Sequence, residues 1–181
     1  MRKVLFILGQ LSDSDAEWMA RSGVRRAVED GSILIRQGVP VASIFILLEG
    51  QLRIEDEKLG MIAALGTGEI VGEMSFVDDA TPSASVVSDG TSIVLELSHA
   101  AIDQRCETDP SFGMRFYKAL SFFLADRLRG TVRRLGYGQD TDLDSDDVLE
   151  DELDEKLLDS VSLAGDRFDR MLKLLSSARQ G

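Results

Sequence analysis

"GVPVASIFILLEGQLRIEDEKLGMIAALGTGEIVGEMS", residues 38–75, is built from short apolar, β-rich runs broken by glycines at roughly regular intervals. The same texture extends outward from Val24 to Leu97, through "SILIRQG" on one side and "SASVVSDGTSIVLELS" on the other. Gly31, Gly38, Gly50, Gly60, Gly68, Gly72 and Gly90 punctuate the runs. Several short strands joined by glycine-bearing turns predict a compact sandwich or barrel-like roll. Within it, "IFILLEGQLRI" reads as the strongest strand pair, with Glu49-Gly50 as its turn.

The flanks change period. Ser14 and Glu17 form an S-x-x-E capping box ahead of "AEWMARSG", which predicts a short helix running to about Ser22 and stopping at Gly23. After the roll, Ser98 caps a short helix in "SHAAIDQRCETD". Asp109 and Pro110 then supply the N-cap and first position of a long one. Along it, Phe112, Phe116, Leu120, Phe123, Leu124, Leu128, Val132 and Leu135 recur at three- and four-residue steps. That stripe outlasts what a small roll can cover, so self-association into a homodimer through this helix is expected.

Residues 1–139 therefore form one unit, and residues 140–155 an acidic linker. Residues 156–181 form a C-terminal amphipathic helix with Leu157, Val161, Ala164, Phe168, Met171, Leu172 and Leu175 on one face. That face needs a partner surface, taken to be another protein of unknown identity.

Composition narrows the function. A net charge of -12 and a pI near 4.5 oppose non-specific nucleic-acid binding, which relies on Lys and Arg. A small anionic ligand remains compatible, because one pocket can be locally positive. With one cysteine, Cys106, and one histidine, His99, the chain can build neither an internal disulfide nor a Cys/His zinc site. A reducing cytoplasmic setting follows. "MRKVLFILGQLSDSD" has the basic start of a signal peptide, but its apolar run is too short and no small-residue cleavage pattern follows. No stretch approaches the ~20 apolar residues of a membrane span.

The spacing "G-x-x-x-x-x-x-F-I-L-L-E-G-Q-L-R-I" followed by "L-G-x-G-E-I-V-G-E-M-S" resembles the cyclic nucleotide-binding domain. That domain is the β-roll-plus-helices module of catabolite-activator-type regulators, protein kinase A regulatory subunits and cyclic nucleotide-gated channels. The resemblance spans about Phe6 to Leu135. It implies an α+β, mainly β fold: an antiparallel β-roll of double-stranded β-helix or jelly-roll type, flanked by helices, with a long C-terminal helix. It also implies a site. Gly72 lets the backbone approach a ligand closely, Glu73 holds a ribose hydroxyl, and the amides of Met74 and Ser75 face a cyclic phosphate.

In "Thr81-Pro82-Ser83-Ala84-Ser85", Ser83 stands where tight-binding family members usually carry an arginine. A charge-assisted arginine–phosphate contact contributes about 1.5–3 kcal/mol, of which a neutral serine recovers only part. Three possibilities follow: weak cyclic AMP or cyclic GMP binding, aided by a substitute cation; a less charged ligand; or a degenerate pocket on an interaction scaffold. Counting along the long helix places Arg127 and Leu128 near the level of the base in dimeric relatives, so Arg127 is the candidate substitute cation. The ligand-site residues are thus Gly72, Glu73, Met74, Ser75, Ser83, Ala84, Ser85 and Arg127, with no catalytic set, no metal and no cofactor.

Other signals carry plain readings. Asp140, Asp142, Asp144, Asp146 and Asp151 fall at calcium-loop offsets, but Ser145 replaces the required glycine and the twelfth place is Asp rather than Glu. His99 and Cys106 read as ordinary structural residues rather than haem or redox groups. Arg127, Arg129, Arg133 and Arg134 suit the end of a helix. The mostly acidic chain that follows does not fit a winged helix-turn-helix, so DNA binding is not expected. The chain reads as a non-enzymatic regulatory module, or else a ligand-free scaffold.

Overall fold

The computed structural model describes residues 7–134 and 155–177. Residues 7–10 are helical and lead into α1 (Asp13–Ser22), after which the strands begin. They are β1 (Val24–Val28), β2 (Ile33–Ile35), β3 (Ser43–Asp56), β4 (Gly60–Gly66) and β5 (Ile70–Val71). A six-residue helix, α2 (Glu73–Asp78), separates these from the last strand, β6 (Ser85–Ser98). Three helices close the order: α3 (His99–Thr108), α4 (Pro110–Arg134) and α5 (Glu155–Ser177). All pairings are antiparallel. The sheet runs β1-β6-β3-β4, with β2 on β6 and β5 on β3. This is the antiparallel roll with flanking helices that the glycine-punctuated runs imply.

The glycines and the long strand explain each other. All seven punctuating glycines have positive φ. Glu49-Gly50, however, is not a turn. β3 runs unbroken for 14 residues, and Gly50 marks a bulge where its register with β6 shifts. At φ +94° a Cβ on Gly50 would meet the Ser92 hydroxyl and the Thr91 carbonyl, each at 2.7 Å. Pressed against β6 along its whole length, the chain bends here and does not reverse.

β3 also shows why "IFILL" is uniformly apolar. Ile44, Ile46 and Leu48 face a core shared with the helices, while Phe45 and Leu47 face the interior of the roll. A strand buried on both faces loses the usual alternation.

The helix ends are set by particular side chains. The expected Ser14/Glu17 box is displaced by two residues. Ser12 is the N-cap of α1, its hydroxyl accepting from the Asp15 amide at 3.2 Å, while the Asp15 carboxylate accepts from the Ser12 amide at 2.8 Å. Asp15 wins because it is fully buried, where Arg115 of α4 holds it through two bonds of 2.7 and 3.0 Å. Ser98 caps α3 and Asp109 caps α4, both as expected.

The α4 stripe divides. Phe112, Phe116, Leu120 and Phe123 are buried, but Leu128 is 64% exposed and Val132 is also exposed. Leu135 lies outside the described residues, as do the calcium-loop aspartates and all of the expected linker except Glu155.

The apolar face of α5, for which a separate protein partner is expected, meets α1 of the same chain instead. Ala164, Phe168, Met171 and Leu175 join the core containing Ile7, Leu8, Met19 and Ala20. Arg167 of α5 reinforces this with bonds to Asp13 at 2.6 Å and to the Leu8 carbonyl at 2.8 Å. Among the described residues, no helix is long and apolar enough to cross a membrane.

Candidate ligand-binding site

Where β5 turns into α2, Gly72 has φ +87°, and a Cβ there would lie 2.6 Å from the Ser43 carbonyl of β3. Only glycine satisfies both the left-handed backbone and this approach. The turn places α2 against the mouth of the roll, with Gly72 as an N-cap that has no side chain to accept from the first-turn amides. The Phe76 amide returns to the Gly72 carbonyl at 3.3 Å. The amides of Met74 and Ser75 precede any intrahelical acceptor.

A cavity of about 300 Å³ opens beside this turn. One wall is Val71 to Ser75; another is Ala80 to Ala84. The segment carrying Ser83 is pinned to the loop after β2, because the Gly38 amide donates to the Pro82 carbonyl at 2.9 Å. Behind lies an apolar row: Val86 of β6 is in register with both Ile35 of β2 and Ile54 of β3. All three line the cavity.

Gly72, Glu73, Met74, Ser75, Ser83, Ala84 and Arg127 all border this space. Ser85 does not; its hydroxyl accepts from the Gln37 amide at 2.9 Å, bracing the wall. Leu128, the neighbour of Arg127, is on the exposed side of α4. Sequence reasoning missed Ile35, Ile54, Val71, Val86 and Asp78. The period-two pattern of β2 and β6 carried the signal for the inner-face residues, but not the register that brings them together.

Glu73 is 1% exposed. Arg127, reaching back from α4, donates from Nη1 to the Glu73 Oε1. Its guanidinium also lies 4.9 Å above the Phe123 ring, a cation–π contact. The other terminal nitrogen, Nη2, is buried with no hydrogen-bond partner among the described residues. Burial is the main influence on the Glu73 carboxyl and holds it above the usual carboxylate range. Arg127 and the residue's own amide pull the other way without overcoming that burial. Among the described residues lining the cavity, Arg127 is the only cation, against the carboxylates of Glu73 and Asp78. Ser83 is exposed at the wall and brings no charge.

His99 and Cys106 stand apart from the cavity. The His99 ring packs edge-on against Phe76 at 5.1 Å, and burial lowers its pKa. The Cys106 thiol is partly buried, which raises its pKa and leaves it a poor nucleophile. Among the described residues, no cluster of His, Cys, Asp or Glu could hold a metal ion.

Residues 25–109 match the family model of the cyclic nucleotide-binding domain. Solved structures agree on the fold. A cyclic nucleotide-binding domain from Methylobacillus flagellatus KT is similar with a TM-score of 0.66 at 23% identity, covering 78% of this chain and 85% of its own. The catabolite activator protein of Thermus thermophilus gives 0.60 at 22% identity, covering 93% and 85%. The regulatory subunit of a cAMP-independent protein kinase A from Trypanosoma brucei gives 0.55 at 21% identity, covering 72% and 43%. No curated protein matches the chain.

Proposed function

We propose that the chain, whose residues 25–109 match the cyclic nucleotide-binding domain model, is a non-enzymatic regulatory module with weakened or altered ligand selectivity. Its cavity takes a cyclic nucleotide or a related hydroxyl-bearing molecule. The observation that carries this is Glu73: a buried carboxylate beside the first-turn amides of α2, on the wall opposite Ser83. A carboxylate there accepts from ligand hydroxyls, and the Met74 and Ser75 amides face an anionic or polar oxygen. Ser83, Ala84 and Ser85 shape and brace the far wall without supplying charge, which lowers affinity for a phosphate.

Regulation follows if the ligand binds one arrangement of α4 better than another, since equal affinity for both shifts nothing. Self-association through the exposed face of α4 (Met114, Tyr117, Phe122, Leu128 and Val132) belongs to the same proposal. So do a cytoplasmic setting and the absence of DNA and membrane partners.

Calorimetry with cyclic AMP and cyclic GMP tests it. Micromolar binding heat that vanishes in Glu73→Ala supports a ligand-responsive module. Silence with both nucleotides removes it in favour of a ligand-free scaffold. One observation favours that second possibility: Arg127 already pairs with Glu73, so the buried carboxylate of the site is compensated by the chain itself.

A further inference from the structure

The guanidinium at the cavity is already engaged by a carboxylate of the same site. Nη1 is spent on Glu73, and Nη2 is buried without a hydrogen-bond partner among the described residues. The side chain as a whole is only 23% exposed. A buried donor with no acceptor is costly, and swinging outward would hydrate it. The contact is therefore held chiefly by the Glu73 carboxylate, with the Phe123 ring beneath the guanidinium. That carboxylate is the group on which a ligand hydroxyl would bond.

The position along α4 gives the exchange a consequence. Phe123 is the last fully buried residue of the helix stripe, while Leu128 and Val132 are exposed. Beyond Phe123, the Arg127–Glu73 contact ties the helix end to the α2 turn. No other ion pair joins α4 beyond Phe123 to the roll among the described residues.

We propose that Arg127 is an internal occupant of the ligand site. In the empty cavity it holds Glu73 and fastens the end of α4. A ligand whose hydroxyls take over Glu73 displaces it, and α4 beyond Phe123 is released. This rests on the cavity being a ligand site, as proposed above, and assigns Arg127 the role of competitor rather than ligand contact.

The probes are cyclic AMP and cyclic GMP, titrated into wild type and Arg127→Met, which keeps the aliphatic stem over Phe123 but cannot pair with Glu73. Arg127→Met is expected to bind at least about tenfold more tightly, because no charge-assisted bond must first be broken. In ligand-free protein, amide exchange over residues 127–134 is expected to accelerate about tenfold or more in both Glu73→Gln and Arg127→Met. Saturating nucleotide is expected to do the same in wild type. Should Arg127→Met fail to fold, Arg127→Lys loses the planar fork and is expected to show the same signs at smaller size.

Weaker binding by the variant would show Arg127 to be a ligand contact and overturn the proposal. Unchanged exchange in the ligand-free variants would overturn it too. If wild type binds and the variant binds no tighter, this proposal alone fails. If neither protein binds either nucleotide, the functional proposal fails with it.

Discussion

Placing a cation where Ser83 stands tests what the cavity lacks. The described lining carries two carboxylates, Glu73 and Asp78, and one guanidinium, Arg127, which is already committed to Glu73. An anionic ligand thus enters a site with one surplus negative charge. Ser83 is exposed at the wall, so a longer side chain can extend along the opening without displacing buried atoms. In Ser83→Arg, a charge-assisted bond to a cyclic phosphate gains about 1.5–3 kcal/mol, or roughly one to two decades in affinity.

The competing sink is Asp78, which is exposed. A solvent-exposed pair with it is worth about 0–1 kcal/mol, so it subtracts from the gain without cancelling it. Cyclic AMP is therefore expected to bind Ser83→Arg about tenfold or more tightly, with the gain shrinking as salt rises. Adenosine, which lacks the phosphate, is expected to show no gain. The assay is calorimetry at two salt concentrations, beside a thermal melt to establish folding. A folded variant with unchanged cyclic AMP affinity refutes the reasoning, as does an equal gain for adenosine.

Three further outcomes test the scaffold of the site. Asp15→Asn is expected to cost about 2–4 kcal/mol at neutral pH, because it breaks a buried pair with Arg115 and weakens the α1 cap. Burial alone would raise the Asp15 pKa, but its bonds to Arg115 and Ser12 outweigh it and hold the carboxyl below the usual range. The unfolded chain therefore binds the proton more readily. Stability is present above the ordinary value of 3.8 and is lost as pH falls through the lower folded value, a loss that Asp15→Asn should reduce in acid titrations. Phe168→Ala is expected to cost about 3–4 kcal/mol in denaturant unfolding if α5 docks on α1, and an unchanged midpoint would show that it does not. Sedimentation of wild type is expected to show a dimer that Leu128→Glu with Val132→Glu dissociates; a monomeric wild type would remove self-association.

Much of the fold was legible because glycine reports backbone directly. Each of the seven punctuating glycines sits where φ is positive, and their order and spacing carried the family resemblance that implies the roll. Ser98 and Asp109 marked helix starts for an equally local reason: each hydroxyl or carboxylate bonds an amide three residues on. Gly50 was misread because a turn and a bulge ask the same thing of one residue, and the difference lies in whether β6 continues alongside. The α1 cap was misplaced because Arg115, one hundred residues away, selects Asp15.

Sequence alone determined the strand-rich texture and the positive-φ glycines, which follow from backbone sterics within a few positions. The pairing of Gly72 and Glu73 with the uncharged Ser83 in one site was legible only through the family resemblance. Tertiary structure decided what Arg127 does. Nothing local distinguishes it from Arg129, two residues on, which is exposed. Only the packing of Phe112, Phe116, Leu120 and Phe123 against the roll fixes the rotation and height of α4. That packing delivers one particular guanidinium to a buried carboxylate on another element.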